Sequence, residues 1–373
     1  MRRVLFAFTL AVTLGACSTE RPAESEEFRA ALPSEAVERE DPTTSPFGEI
    51  EYDDPDGILS VLALSGGGAY GAYGVGVLSG WTESGERPVF DIVTGVSTGA
   101  LISVFAFLGE DYDELLRDLY TNTTNADIFI DKGVSGLLTD SLYDYTPLKN
   151  QIERVITYDV LGRIADEHAK GRRLFVATTN LDSSELVVWD MGAIASGGRS
   201  DPMLHFQKVL RASAAVPVFF QPVYIKPQRG IQLRQAHVDG GVKAPILVED
   251  FMFRSNAAEK RLYVIVNDSL VERSASAPVE PTIQSIASKT VTALLRSSVV
   301  EALYRSYVRS VVAEADFFLA YVPDEFNDSV GSLDFNPVVM QSLFEAGRNS
   351  ALSGFGWNTL PPGVDPLELK AGG

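Results

Sequence analysis

Between residues 57 and 108 an apolar run twice gives way to a glycine-bracketed turn and then to a helical pattern. The first copy begins with Gly57–Ser65 (GILSVLALS), rich in Ile, Leu and Val as in a strand buried on both faces. It continues through Gly66-Gly67-Gly68-Ala69-Tyr70-Gly71 into AYGVGVLSGW, where Val75, Leu78 and Trp81 recur at helical spacing. The second copy is Phe90-Asp91-Ile92-Val93-Thr94, then Gly95-Val96-Ser97-Thr98-Gly99, then the helix-like ALISVFAFLG. Strand, turn and helix in this order predict an α/β domain.

Both turns also carry chemistry. A strand that runs through glycines into a helix aims backbone N–H groups at an anion, with the helix dipole behind them. Gly66-x-Gly68-x-x-Gly71 satisfies the dinucleotide fingerprint, which wants an acidic residue about 20 positions on at the end of the next strand. Asp91 comes at the start of that strand, the wrong end. The alternatives are an oxyanion hole and a turn that serves packing alone. Gly95-x-Ser97-x-Gly99 between strand and helix has the form of a nucleophile elbow, which lifts a serine Oγ clear of the backbone.

A serine nucleophile needs a base. His168, His205 and His237 are the three histidines. Pairing His205 or His237 with Asp182 or Asp190 would keep the order Ser, acid, His, but neither lies in a loop with a catalytic signature. His168 reads as a solvated surface residue, and His205 as a partly buried structural one. Leu210–Val223 (LRASAAVPVFFQPV) reads as small residues that pack closely, then a proline-shaped loop. Asp239, before Gly240 and Gly241, is expected in a tight turn with its carboxylate presented rather than buried among apolar side chains. Asp-Gly is also ordinary hairpin chemistry. His237 shares a strand face with Asp239. Asp91 and Asp131 read as capping or turn residues. The apolar stripe of 283–315 (Ile286, Val291, Leu294, Leu295, Leu303, Tyr307, Val311) reads as core, with Arg296, Arg305 and Arg309 toward solvent or membrane.

Charge and composition exclude several classes. The 373 residues hold 31 Lys plus Arg against 50 Asp plus Glu, a net charge of −19. No basic run or patch-forming cluster stands out, so nucleic-acid binding lacks an electrostatic basis and binding to anionic lipid by charge is disfavoured. One cysteine leaves no disulfide framework, and the histidines lack metal-site spacing.

Taken in order, Ser65-Gly66-Gly67-Gly68, Gly95-Val96-Ser97-Thr98-Gly99, Ala212-Ser213-Ala214-Ala215-Val216-Pro217 and Asp239-Gly240-Gly241 resemble the patatin-like phospholipases, over residues 57 to about 325. The block from Phe335-Asn336-Pro337 to Leu343-Phe344-Glu345 looks like the closing helix of the lipoprotein-type members. The resemblance implies a three-layer α/β/α fold around a mostly parallel central sheet. It implies hydrolysis of lipid acyl esters without metal or cofactor, by Ser97 as nucleophile and Asp239 as base. Gly66, Gly67 and Gly68 would form the oxyanion hole, with Gly71, Gly95, Gly99, Gly240 and Gly241 in support. One departure is Tyr70, where the family usually has Arg or Lys. The open readings beside a phospholipid or lysophospholipid hydrolase are an esterase or acyl transferase for small soluble esters, and a non-catalytic lipoprotein that binds lipid or an envelope partner.

The N-terminus reads as an address. Arg2 and Arg3 precede a short apolar stretch and the small residues Gly15 and Ala16, the order of a secretory signal. Leu14-Gly15-Ala16-Cys17 resembles the lipobox of bacterial lipoproteins. It implies a signal peptide over 1–16, a lipidated Cys17, and, with Ser18 next, sorting in the bacterial envelope to the outer membrane. Residues 17–56 carry thirteen acidic residues against Arg21, Arg29 and Arg39, with five prolines, and read as an extended tether. The catalytic domain is expected over 57–360, with a tail over 361–373.

Overall fold

The structure, a computed structural model, describes residues 57–197, 201–226, 234–270, 278–326, 331–353 and 357–364. The expected signal peptide, Cys17 and the tether lie outside them. Among the described residues there are ten strands: β1 (Ile58–Leu64), β2 (Ile92–Gly95), β3 (Ile130–Asp131), β4 (Tyr143–Asp144), β5 (Arg173–Asn180), β6 (Glu185–Asp190), β7 (Val223–Ile225), β8 (Gln235–Asp239), β9 (Glu259–Val266) and β10 (Asp316–Tyr321). The helices are α1 (Gly71–Glu83), α2 (Thr98–Leu108), α3 (Asp113–Thr121), α4 (Asn125–Ile128), α5 (Thr146–Val155), α6 (Tyr158–Ala169), α7 (Met191–Ala195), α8 (Pro202–Ser213), α9 (Ile283–Val312) and α10 (Pro337–Leu352).

The main sheet has the order β10-β9-β1-β2-β5-β8-β7, with β6 also paired to β5. The first five of these strands are mutually parallel, and β6, β8 and β7 join antiparallel. Strands β1 and β2 are buried nearly throughout, as their unbroken Ile, Leu and Val runs predict. Alternate residues feed two cores. Leu62, Leu64 and Val93 pack with α1, α2 and α10 on one face, and Leu59, Val61 and Ile92 pack with Leu303 of α9 and Phe251 on the other. This is the three-layer α/β/α arrangement expected. The closing helix is present too. Gly76 and Gly80 of α1 let the backbone of α10 approach so closely that a Cβ on either would meet Phe344 O at 2.0 Å or Arg348 O at 2.3 Å.

Four expectations are corrected. The stripe on α9 is only partly core: Leu303 is buried, while Ile286, Leu294 and Val311 are exposed. A 30-residue helix is about 45 Å long, against roughly 26 Å for an eight-residue strand, so its ends overshoot the sheet. His168 is half-buried, its ring 3.6 Å from Asp190 and wedged over Gly192. The body does not stop at 360, since Asn358 bridges to Leu319 and Pro362 O accepts from Tyr304 Oη. A cationic cluster does form: α8 packs across β7 and β8 and brings Lys208 and Arg211 toward Lys226 and Arg234. It was hidden because the cations come from separate elements. Among the described residues no helix is long and apolar enough to cross a membrane.

Candidate active site

Ser97 stands between β2 and α2, with φ 56° and ψ −125°. A side-chain-bearing residue in such a region is strained by about 1–3 kcal/mol unless its surroundings hold it there. They do. The Ser97 N–H donates to Ser213 Oγ at 3.0 Å, the Val96 N–H to Leu64 O at 3.2 Å, and the Ala100 N–H to Ser97 O at 2.9 Å. The two flanking glycines are dictated by contact, because a Cβ on Gly95 would lie 2.3 Å from Gly99 O, and one on Gly99 2.3 Å from Leu64 O. The turn is wedged against the end of β1, and the N-terminus of α2 faces the same place as Ser97.

Asp239 arrives from the far side of the sheet at the end of β8. Its N–H donates to Ala215 O at 2.9 Å, and Thr179 Oγ1 donates to its carbonyl at 3.0 Å. Its carboxylate accepts the Gly241 N–H at 2.7 Å, and Asp239 lines the same cavity as Ser97. A Cβ on Gly240 would sit 2.5 Å from Ala177 O, and one on Gly241 3.0 Å from Asp239 Oδ1. Asp239 is 2% exposed. Burial pushes its pKa up to about 7, against the pull of Ser97 and of the Gly241 hydrogen bond. The expectation of an unburied carboxylate is thereby corrected: it is presented to Ser97, but from inside the molecule. The local sequence shows the turn, whereas the burial comes from Ala215 and from Leu295, which packs over Gly241.

The glycine turn completes the site. Gly67 lies so close to β9 that a Cβ there would stand 1.7 Å from Asn267 O, and one on Gly68 would stand 1.8 Å from Ser332 O. Asn267 also clamps the end of β1, its N–H donating to Ser65 Oγ at 2.8 Å and its Nδ2 to Ser65 O at 2.9 Å. Among the described residues the Gly67 and Gly68 N–H groups have no hydrogen-bond partner, and both residues line one cavity with Ser97 and Asp239. Gly66 differs, because its N–H donates to Pro245 O at 3.2 Å. As an oxyanion donor it is corrected. Its part is to leave room, since a Cβ there would sit 3.1 Å from Ser97 Cβ. Gly71 likewise admits Thr98 and Tyr120.

The remaining sequence candidates stand apart from Ser97 and Asp239. Asp91 accepts the Ser60 N–H at 2.7 Å, at the opposite end of β2 from the glycine turns. Asp131 accepts the Gly133 N–H at 2.8 Å, as a turn residue does. His237 is buried with its Nδ1 2.9 Å from Thr178 Oγ1, and burial holds its pKa down to about 4. Thr178 Oγ1 also accepts from Trp189 Nε1 at 2.8 Å. His205 is buried edge-on against Trp189. Among the described residues no three His, Cys, Asp or Glu side chains are grouped as metal ligands.

The cavity measures about 200 Å³. Away from Ser97 its walls are apolar, with Leu101, Phe105, Leu119, Ile152, Phe219 and Phe220 among them. The proline-framed aromatic pair of the sequence thus forms part of its lining. Tyr70 lies in the wall, 1% exposed, its Oη 3.4 Å from Phe326 O. The cation missing there has a counterpart in a residue expected toward solvent or membrane, an expectation that is corrected. Arg296 of α9 lines the cavity, donating to Ser269 O at 3.3 Å and standing 3.8 Å from Asp268. Ser213, which fixes the Ser97 backbone, was also missed as an individual. The small-residue block around it was the available signal.

Strained serine, buried carboxylate, unpaired amides and an apolar cavity form a constellation suited to acyl transfer. The family model for patatin-like phospholipase matches residues 62–252, which include all of these turns. A cGAMP-activated phospholipase of Escherichia coli (strain TW11681) is 26% identical over 200 residues, covering 50% of this chain and 52% of its own. A cUMP-AMP-activated phospholipase of Escherichia coli is 45% identical over 69 residues, 18% of this chain and 21% of its own. The chain thus spans about half the length, or less, of these curated relatives. Among solved structures, VipD from Legionella pneumophila superposes with a TM-score of 0.38 and 13% identity, covering 78% of this chain and 67% of that one. With the family model spanning half of its length and all of its glycine, serine and aspartate turns, the chain belongs to the patatin-like phospholipase family.

Proposed function

We propose that this chain is a serine acyl hydrolase that cleaves acyl esters of phospholipids or lysophospholipids, with Ser97 as nucleophile and Asp239 as general base. The observation that carries this reading is that the strained Ser97 and the buried Asp239 share the polar end of one apolar cavity. An acyl chain occupies the apolar length with its ester carbonyl at Ser97. The Ser97 Oγ attacks the carbonyl carbon as its proton passes to Asp239, and the oxyanion forms at the Gly67 and Gly68 amides. Collapse expels the alcohol, which takes the proton back from Asp239. Water, deprotonated by the same carboxylate, then releases the fatty acid and frees Ser97. A base with a pKa near 7 is suited to both directions of transfer at neutral pH. Arg296 stands at the polar side of the cavity, where a phosphate-bearing head group lies when the acyl chain is inside.

Lipidation at Cys17 and placement in the bacterial outer membrane belong to the same reading. A tethered domain meets its lipid at high effective concentration. The test is release of fatty acid from phospholipid vesicles, together with labelling by a fluorophosphonate located by mass spectrometry. Release by the wild type, an adduct on Ser97, and loss of both in Ser97→Ala are expected. A folded protein that takes no label and releases nothing would leave a lipid-binding role in its place.

A further inference from the structure

From Pro202 to Val238 the chain carries Lys208, Arg211, Lys226, Arg229 and Arg234 and no acidic residue, within a sequence of net charge −19. Arg229 lies outside the described residues. The fold gathers the other four. On α8, Leu204 and Lys208 stand at i and i+4 and so share one face, and Leu204 is 41% exposed, whereas the Arg211 guanidinium turns onto the Tyr145 ring at 5.4 Å. At the end of the β7–β8 ladder Ile225 pairs with Gln235, which sets the exposed Lys226 and Arg234 at the next facing positions. Like charges placed opposite one another are unfavourable in a sheet. Burial, then the charges of Arg234, Arg211 and Lys226, hold Lys208 below the usual lysine range while Asp201 pulls the other way. The inward side of this same segment walls the cavity through Leu210, Ala214, Val216, Phe219 and Phe220.

We infer that Leu204, Lys208, Lys226 and Arg234 form the face through which this protein lands on an anionic phospholipid surface. The inference deepens the acyl-hydrolase reading and rests on it. An acidic molecule is repelled by such a surface everywhere except at a local cationic face, so the field orients it as well as holding it. A single apolar side chain among the cations fits shallow burial at the head-group boundary. The orientation brings the segment that walls the cavity against the lipid.

The test uses the full chain with Cys17→Ser, so that no acyl anchor forms, and Ser97→Ala, so that vesicles stay intact. Binding is measured to phosphatidylcholine vesicles with and without phosphatidylglycerol. Each basic residue near an anionic surface is worth about 1 kcal/mol, so the triple variant Lys208→Gln, Lys226→Gln, Arg234→Gln should bind the anionic vesicles roughly a hundredfold more weakly. Binding to pure phosphatidylcholine should be unchanged. Both proteins carry the same N-terminal segment, so the difference reads the patch. If the triple variant fails to fold, Lys226→Gln and Arg234→Gln at the exposed hairpin positions should each give about a fivefold loss. Equal affinity of folded variant and parent for anionic vesicles would overturn the inference. Because binding is read without turnover, a wild type that hydrolyses nothing would sink the hydrolase reading instead.

Discussion

The two members of the Ser97–Asp239 pair are held in place by opposite means. Ser97 is fixed by backbone geometry, with a positive φ enforced by contacts among Gly95, Gly99 and Leu64. Its side chain is ordinary and its conformation is not. Asp239 has an ordinary backbone, the last residue of a strand with φ −47° and ψ 130°, but a carboxyl placed where burial resists ionisation. One residue stores conformational strain and the other electrostatic strain. Each is maintained by neighbours that are themselves clamped, Ser97 by Ser213 and Asp239 by Ala215, and both of these belong to the same block at the end of α8.

The largest effect should come from breaking the electrostatic half. Asp239→Asn keeps the shape but accepts no proton, and turnover of phospholipid should fall by roughly 10⁴–10⁶, the scale seen when a member of a serine-hydrolase triad is lost. A loss below tenfold would mean that another group takes the serine proton. In the wild type the base acts only when ionised, so the rate should fall about tenfold per pH unit below about 7 and level off above it. A profile flat down to pH 5 would contradict a buried base. Next in size is the oxyanion turn. Gly67→Ala forces a Cβ against the Asn267 carbonyl and displaces the amide, and should cost about 10²–10³ in turnover. Gly66→Ala, whose amide already serves Pro245 and whose new Cβ meets Ser97 at 3.1 Å, should lose less. The reverse order would reassign the donors.

The same contrast decides what could be read from the sequence. The elbow is encoded within five residues, because its steric demands fall on Gly95 and Gly99 beside the serine, so Ser97 and its strand and helix were legible. Asp239 could be found as a residue before two glycines, yet its burial could not, because it depends on Ala215 and on Leu295, far away in the chain. The place of Arg296 in the cavity and the cluster of Lys208, Lys226 and Arg234 were missed for the same reason: charges meet in space from elements that look unremarkable singly. On α9 the period was right and the environment wrong. Helical spacing gives a face but not how far the helix outruns the sheet beneath it.

A stability measurement separates the two kinds of strain. The Asp239 carboxyl is raised from its ordinary 3.8 to about 7 in the folded protein. The native state therefore holds that proton more tightly than the unfolded chain does. The stabilisation this gives is fully present below about pH 4 and is lost as pH rises through 7. Asp239→Asn has no such dependence, so its stability relative to wild type should climb between pH 5 and pH 8 by on the order of a few kcal/mol, read from urea unfolding. A constant gap would mean that the carboxyl is not desolvated in solution.

The conformational strain should be smaller and independent of pH. Ser97→Ala and Ser97→Gly both remove the Oγ, so the difference between them isolates the Cβ at positive φ. Alanine keeps a strain of about 1–3 kcal/mol, while glycine relieves it but loses roughly 0.4–1 kcal/mol through greater freedom of the unfolded chain. Ser97→Gly should therefore be the more stable of the two by about 1 kcal/mol, a rise of about 2 °C in Tm for a body of this size. The melts belong at pH 5, where Asp239 is protonated in both variants and its contribution cancels. An equal or lower Tm for Ser97→Gly would mean that the elbow stores no strain, and both halves of the pair would then be held in the same way.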